Sequence, residues 1–541
     1  MSAAYLRHPA VLLAAVSVAI ALTWLALGRP AAMPRSPLAP NEKLDCLSYQ
    51  PFRPGQSPFD EGIMISPAEI EADLARLAPH TGCLRTHTVA MGLDRLPEIA
   101  RRHDIAVLQG IALGRDADKN RTEFEQALAL ARADRGAIRA FVVGSEVLSR
   151  GDLPAVALGR MIRDFRAQAK KPVTYADQWE IWLKAGELLD AVDFVTLHVR
   201  PYRERYPVAA DEAALRVAEV RAKVAASFPG KEILIGETGW PSAGRMREAA
   251  LPSPASQAQA IHELIAAAKA GGFQIVFHEA FEQPWKRRLE GTAGAYWGLF
   301  DADTRAFKFR WGGAVSNHPY WFFQGLIGLL LAYVTFAAGF LAARSLGPRQ
   351  PRAVDWPPVA GIALAGGLFV GWALANAPLE SSTALDWFNS IFLVSLALGA
   401  PPVAAAAAVR RAPFEGFAAL FDPFARRAAD PVAKAVTALL AFAVIAAITS
   451  ALGLVFDPHE RDIPFAPLTG PAAALLLLAW TNPPGQRRES FAEISAALIL
   501  GLSAVFILFN ETFWNWQALW FAAVLLALAA ACLRARGVRN P

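Results

Sequence analysis

The sequence predicts an α/β fold, a (β/α)8 TIM-type barrel, joined to an all-α multispanning membrane domain. Three observations lead there. Of the 541 residues 54% are hydrophobic, yet Asp, Glu, Lys and Arg crowd into 41–310, while Ala, Leu, Val and Phe dominate from 320 onward. Within 42–312, short apolar runs alternate with stretches of helical period. Eight apolar segments, one before and seven after this region, read as membrane spans.

In the polar region the strand-like runs are 44–49, 82–88, 105–112, 138–143, 172–175, 192–198, 232–236 and 273–279. Helical periodicity marks 67–78, 123–134, 154–169, 212–227 and 256–270. Eight strands alternating with helices over about 270 residues is the arithmetic of a closed parallel barrel. A doubly wound open sheet is the competing topology. It normally carries a glycine-rich phosphate turn after its first strand, and 44–54 has none.

The first apolar run, 9–27, reads as an uncleaved membrane anchor rather than a signal peptide, because Gly28-Arg29-Pro30 is a poor small-residue cleavage site. The Pro- and Ala-rich stretch 30–41 reads as an extended linker. The later runs are 320–343, 357–376, 387–409, 432–455, 466–481, 491–509 and 514–533. The domain plan is therefore an anchor (1–29), a linker (30–41), a barrel (42–315) and a seven-helix transmembrane domain (316–541).

Loop charge orients these spans. One set of loops holds Arg344, Arg349 and Arg352; Arg410, Arg411, Arg426, Arg427 and Lys434; Arg487 and Arg488; and Arg534, Arg536 and Arg539. The other set, 376–386, 456–464 and 510–517, is acidic or mixed, with a Trp-rich edge at Trp514, Trp516 and Trp520. Basic loops stay in the cytoplasm. Eight spans then leave both termini cytoplasmic in a bacterial inner membrane and the barrel in the periplasm. The net charge of +5 has this topological origin, and no basic stripe with interleaved aromatics marks a nucleic-acid partner. The partners implied are the lipid bilayer and a substrate.

The three cysteines have neither zinc nor redox-pair spacing. Cys532 falls in the last apolar run. Cys46 and Cys83 fall near the starts of neighbouring strands, open either to a disulfide or to two buried thiols, with the thiols favoured. The histidines His80, His87, His103, His198 and His278 show no ligand spacing, so neither a metal nor any other cofactor is expected.

Barrel chemistry sits at the carboxyl ends of strands. Two strand ends carry an apolar run, a Gly and then a Glu: Phe141-Val142-Val143-Gly144-Ser145-Glu146 and Ile233-Leu234-Ile235-Gly236-Glu237. Glycine lets the backbone turn sharply beneath a carboxylate that must face the cavity. Two glutamates across a barrel mouth suit glycosidic bond cleavage, one protonating the leaving oxygen and one attacking the anomeric carbon. Solvated loop charges are the plainer reading, and the shared Gly-Glu placement at strands four and seven argues against it.

The run Gly236-Glu237-Thr238-Gly239-Trp240-Pro241-Ser242 resembles the signature of glycoside hydrolase family 17, the β-1,3-glucanase family of retaining barrels. Val143-Gly144-Ser145-Glu146-Val147-Leu148 resembles its acid/base segment. The stretch 277–286 with Tyr296-Trp297-Gly298-Leu299-Phe300 resembles its strand-eight segment. The resemblance covers 44–310 and implies Glu237 as nucleophile and Glu146 as acid/base. Many members have Asn before the acid/base Glu, contacting the sugar 2-hydroxyl; here Ser145 offers a shorter reach. By resemblance Tyr202 hydrogen-bonds the nucleophile, unless it is a packed loop residue. Arg85, ending strand two, either does similar electrostatic work or pairs with a structural carboxylate. His198 is expected in the site wall. Glu279 and Lys286 either bind sugar hydroxyls or pair with each other. Trp179, Trp285 and Trp297 either stack on sugar faces or belong to the core.

The whole arrangement resembles the rhizobial membrane-bound β-(1→6)-glucan synthase type, in which a family-17-like domain precedes a multispanning region. That resemblance implies remodelling of β-1,3-glucan into β-1,6-branched or cyclised periplasmic glucan, with a membrane β-glucan polymerase as a further partner. No Gln-x-x-Arg-Trp run of nucleotide-sugar polymerases is present. Transglycosylation is then the chemistry on offer. A tethered β-1,3-glucan hydrolase and a non-catalytic glucan-binding or export scaffold are the alternatives. Asp457, Glu460, Arg461, Asp462, Glu511 and Trp516, in the non-basic loops, either guide a glucan chain or form a solvated interface. Charge within the spans is nearly absent, which argues against a proton-coupled transporter.

Overall fold

The computed structural model describes residues 9–346, 352–421, 430–457, 461–485 and 491–535. Arg349, Arg426, Arg427, Glu460, Arg487, Arg488, Arg536 and Arg539 lie outside the described residues. The chain divides into two compact units, Ala31–Val315 and a second built from the residues on either side of it.

In the first unit eight strands close into a parallel barrel in sequence order, β1 pairing with β8. They are β1 (Cys46–Ser48), β2 (Cys83–Arg85), β3 (Ala106–Ile111), β4 (Ile138–Ser145), β5 (Val173–Gln178), β6 (Val195–His198), β7 (Ile233–Thr238) and β8 (Ile275–Phe277). Alternation along each strand creates two layers. Cys46, Cys83, Leu108, Ala140, Val142, Ala176, Leu234 and Val276 form one buried cluster, the barrel lumen. Their neighbours Leu47, Leu84, Val107, Phe141, Val143, Ile233 and Ile235 belong to the larger core shared with the surrounding helices. By the same alternation Arg85, fully buried two residues after Cys83, projects into the lumen.

Cys46 and Cys83 are bonded to each other, their Cα atoms 4.4 Å apart. The favoured pair of free thiols is thus corrected: Leu47 pairs with Leu84 in register, which sets the two preceding cysteines side by side at the amino ends of β1 and β2.

The helices start where side chains can cap them. Ser66 and Glu69 form a capping box on Pro67–Leu77, and Ser253 caps Pro254–Gly271. Helix Ala117–Ala133 begins six residues before the periodic stretch expected from 123, because Asp116 accepts from the amides of Asp118 and Lys119. Its first turns are polar and carry no apolar period. The expected linker packs on the barrel instead of running free: Ala31 and Val315 exchange backbone hydrogen bonds of 2.8 and 2.9 Å, and Lys269 bonds the Pro37 carbonyl and Glu42.

The second unit is helical. Among the described residues, seven of its helices are long and apolar enough to cross a membrane: Pro9–Leu27, Trp321–Arg344, Ala353–Glu380, Ala384–Arg410, Pro431–Phe456, Ala492–Glu511 and Trp516–Arg534. The eighth expected span is the shorter apolar helix Phe465–Thr481, 17 residues and therefore about 25 Å long. Val16, Ile20 and Trp24 of the first helix share one core with Phe336, Val359 and Leu396. Large apolar side chains such as Phe323, Leu330, Ile391, Ile445 and Leu502 face outward, the pattern of a lipid-facing surface.

Among the residues read as glucan guides or solvated interface, Asp457 and Arg461 are exposed. Glu511 is buried and accepts from Asn515 at 2.8 Å, and Trp516 packs against Trp372 and Phe465. These two are part of the bundle because the helix resumes at Trp516 and turns the ring inward.

Candidate active site

Both glutamates sit where a strand breaks register. β4 shifts against β5 between Val142 and Ser145, and β7 shifts against β6 between the partners of Leu197 and His198. An irregularity of this kind re-aims the next side chain. Strict alternation after Leu234 would put Gly236 inward and Glu237 outward; the shift turns Glu237 into the mouth.

The two glycines serve different ends. Gly144 has φ +87°, and Glu146 itself is left-handed at φ +54°. The backbone at β4 is thus twisted beneath its carboxylate, at a cost of order 1 kcal/mol or more for a non-glycine residue. Gly236 has no such angle; a Cβ there would lie 2.2 Å from Cγ2 of Thr196. Its lack of a side chain serves close approach to β6, a role the shared turn expected for both glycines does not cover.

Four side chains converge on the carboxylates. Nη1 of Arg85 donates to Oε1 of Glu237 at 2.9 Å and to the Gly236 carbonyl at 2.8 Å, while Nη2 reaches the Ser145 hydroxyl at 2.9 Å. His198 places Nδ1 2.8 Å from Oε1 of Glu146 and Nε2 3.6 Å from Oε1 of Glu237. Nη1 of Arg200 donates to Oε2 of Glu237 at 3.2 Å, and Nη2 hydrogen-bonds Glu146. His278 sets Nδ1 3.5 Å from Glu237. One ligating atom each from Glu146, His198 and Glu237 lie within 4.8 Å of one another. A small cation would meet two guanidiniums already bonded to these carboxylates, so the arrangement is that of a charge-compensated acid pair.

Electrostatics follow from that packing. Burial opposes the charge of Glu237, but the His198 ring and the Arg85 and Arg200 guanidiniums outweigh it and hold the carboxyl well below the usual range. At Glu146 burial is likewise overcome, by the charge of Arg200 and the hydrogen bond with His198, so it too is held well below that range. Burial and the nearby Arg85 push His87 down to about 3; the imidazole is neutral and bonds the Ser48 hydroxyl at 2.9 Å.

The remaining expected residues divide. Glu279 and Lys286 pair with each other at 2.7 and 2.9 Å, both buried, and burial pushes the Glu279 carboxyl up to about 7 against the pull of Lys286. The hydroxyl of Tyr202 donates to the Arg245 carbonyl at 2.9 Å rather than to Glu237. The chain turns at Pro201, which carries the phenol away from the mouth and edge-on to Trp240 and Trp297. Trp297, 1% exposed between Tyr202 and His278, is core rather than an open platform. The ring of Trp179 is covered by Arg216 and Lys223, whose cations lie 5.5 and 4.7 Å from it. Trp285 is half-buried beside Phe52 and Phe59.

Sequence reading missed Arg200. Its signal was present: it follows His198 by two positions, and period-two alternation puts both side chains on one side of the extended chain. A cleft of about 720 Å³ on the flank of the barrel, lined by Met64, Met91, Arg101 and Gln126 among others, contains none of these residues.

The closed parallel barrel, matched over residues 46–298 by the model of the BtgE/BtgC glycoside hydrolase domain, makes this chain a glycoside hydrolase. It belongs to the BtgE/BtgC glycoside hydrolase family. It is similar to the glucan 1,3-beta-glucosidase of Schizosaccharomyces pombe, 30% identical over 238 residues that cover 40% of this chain and 72% of the yeast protein. A glucan 1,3-beta-glucosidase of Candida albicans is 26% identical over 266 residues, 45% of this chain and 86% of that one. Among solved structures, the family 17 β-1,3-glucanosyltransferase of Rhizomucor miehei superposes with a TM-score of 0.43 at 21% identity, covering 48% of this chain and 94% of that chain.

Proposed function

We propose that the chain is a membrane-bound retaining transglycosidase acting on β-1,3-glucan, with Glu237 as nucleophile and Glu146 as acid/base. The observation that carries this reading is the approach of the two carboxylates, which bring one oxygen each within 4.8 Å over the barrel mouth. Retaining glycosidases hold their carboxyls about 5 to 5.5 Å apart, whereas inverting enzymes leave several ångströms more for a water. The choice of β-1,3-glucan rests on the names of the yeast relatives.

In the first step protonated Glu146 gives its proton to the glycosidic oxygen as that C–O bond breaks. An oxygen of Glu237 bonds the anomeric carbon. Arg85, enclosed and bidentate across Glu237 and Ser145, keeps the nucleophile ionised and fixed in direction. In the second step an acceptor hydroxyl loses its proton to the Glu146 carboxylate and bonds the anomeric carbon, and Glu237 departs as a carboxylate. With a sugar 6-hydroxyl as acceptor the product carries a β-1,6 branch or a closed ring; with water the enzyme is a hydrolase. Ser145 and Trp285 are the proposed sugar contacts, and Glu279 and Lys286 support the wall as an ion pair.

The helical unit favours the transferase. A hydrolase needs only one anchor, and among the described residues there are six further helices long enough to span. Arg344, Arg352, Arg410, Arg411, Lys434 and Arg534 mark the cytoplasmic side on this reading, with Phe465–Thr481 counted as a span. The disulfide supports an oxidising compartment for the barrel, the periplasm. A membrane β-glucan polymerase is the proposed supplier of substrate.

The test uses detergent-purified protein and end-labelled laminari-oligosaccharides, with product size and linkage determined against Glu237→Gln. Longer or β-1,6-linked products that vanish in the variant support the transferase. Only shorter products move the reading to a tethered hydrolase. Turnover indifferent to Glu237 sinks the site assignment, and no turnover leaves a binding or export scaffold.

A further inference from the structure

We infer that Arg200 is a positioning residue that clamps Glu146 in its ionised form in the free enzyme, so that sugar binding and protonation of the general acid are one coupled event. The inference rests on the proposed roles of Glu146 and Glu237. It starts from a conflict: a general acid must carry a proton, yet here Oε1 of Glu146 accepts from both Arg200 and His198. That oxygen is saturated with donors, and burial is outweighed by the positive charge beside it.

Access separates the two arginines. The Arg85 side chain is 0% exposed and cannot be reached without opening the barrel. Arg200 and Glu146 are 15% and 22% exposed and stand together at the mouth. A sugar placed with its anomeric carbon at Glu237 and its glycosidic oxygen at Glu146 needs the space and the lone pair that Arg200 holds. Once the guanidinium leaves Oε1, Glu146 keeps the His198 contact, gains a low-dielectric neighbour in the sugar and takes a proton from solvent. Glu237 retains Arg85 and stays ionised. The charged and titratable groups facing Arg200 include Glu146, Glu237 and Glu290, with Arg85 as the opposing cation and the His278 ring close by. Glu290 is paired with Arg203 and gives the displaced guanidinium an acidic neighbour.

The decisive measurement is calorimetric titration of the whole wild-type protein with a non-cleavable, thio-linked laminaritriose at pH 7, in buffers of different ionisation enthalpy. The clamp requires uptake of about one proton per bound trisaccharide. At about pH 5, where a carboxyl freed of the guanidinium begins to take up a proton, uptake is expected to be clearly less in Arg200→Gln, because Glu146 is held ionised less firmly before binding. No proton uptake by the wild type overturns the inference, whatever the variant does.

A second readout is the pH profile of kcat/KM. The reaction needs a proton on Glu146, so the alkaline limb of kcat/KM reports the pKa of Glu146 in the free enzyme. Arg200→Gln is expected to move that limb upward by about one unit or more with a glucan substrate. Arg200→Lys, which keeps the charge, leaves it near the wild-type position. A dinitrophenyl glycoside, whose leaving group needs no proton, shows no such shift. Equal losses on both substrates with an unmoved limb would mean a merely structural role. Should Glu237→Gln leave turnover intact, the site assignment fails; should Glu237 prove essential while proton uptake is absent, only the Arg200 clamp fails.

Discussion

The strand ends of β4 and β7 carry the same Gly-Glu grammar and build opposite environments. At β7 the Glu237 side chain is 4% exposed, rests on an ordinary backbone and is held from beneath by an arginine that solvent does not touch. At β4 the Glu146 side chain is 22% exposed, sits on a left-handed backbone and is held from above by an arginine at the mouth. On the proposed roles, the carboxylate that must stay charged keeps one partner, Arg85, that solvent does not touch, whatever becomes of Arg200, which also reaches it at 3.2 Å. The proposed acid/base, which would exchange a proton twice per cycle, is placed where its arginine partner is partly exposed. On that reading the two roles are separated by the accessibility of the counter-ion, since both carboxyls are held below the usual range.

Substitutions can break this comparison. The largest effect is expected for Glu237→Gln, a loss of turnover of about 10³-fold or more on every substrate, measured with both oligosaccharides and aryl glycosides. Glu146→Gln should cost about 10² to 10⁴-fold with sugar leaving groups and far less on the first step with a dinitrophenyl glycoside. If the two variants show one and the same pattern across leaving groups, the division of labour is wrong.

Arg85→Lys keeps a positive charge but loses the fork that joins Glu237, the Gly236 carbonyl and Ser145. A fall in kcat of about 10 to 100-fold is expected, with thermal stability also lowered because a buried carboxylate loses its fitted partner. A purely structural Arg85 would lower stability and leave the kinetics of the folded fraction unchanged. The smallest catalytic effect belongs to the opposite end of the barrel. Replacing Cys46 and Cys83 together by Ser should cost about 2 to 4 kcal/mol of stability, read by denaturant unfolding of the barrel signal, because the bond closes a loop 37 residues apart in sequence. Rates of the folded protein should not move, and a rate loss would show that the amino ends of β1 and β2 communicate with the mouth.

The barrel was legible because its signals are local and repeated. Each strand run was apolar and short, and helices such as Pro67–Leu77 and Ala155–Ala169 carried a plain period. The glutamates were legible because their setting, Gly-Glu at the end of an apolar run, is itself a statement about backbone. What escaped depended on direction rather than identity. Tyr202 and Arg200 lie two residues apart on one segment, and the turn at Pro201 decides which of them faces the carboxylates. Trp297 and Trp179 were undecidable between platform and core because a ring looks the same in sequence whether its face meets a sugar, an imidazole or a lysine. Arg85 was read with its strand but not with its depth, which follows from lumen packing across all eight strands. Helix Ala117–Ala133 was shortened because capping by Asp116, and not hydrophobic period, sets its start.

The pairing of Ala31 with Val315 fixes one further property. The entry and exit points of the barrel unit are clasped by two backbone hydrogen bonds, so the unit is a closed bead on the string, and its folding does not depend on what distance the flanking chain demands. Such a bead can be lifted out as one uninterrupted piece, or its two ends fused by a short linker and new ends opened at a surface turn, without stretching any strand. In modular terms the barrel is an insertion cassette between helices Pro9–Leu27 and Trp321–Arg344, and exchanging it for a related barrel requires only that the replacement bring its own ends equally close together.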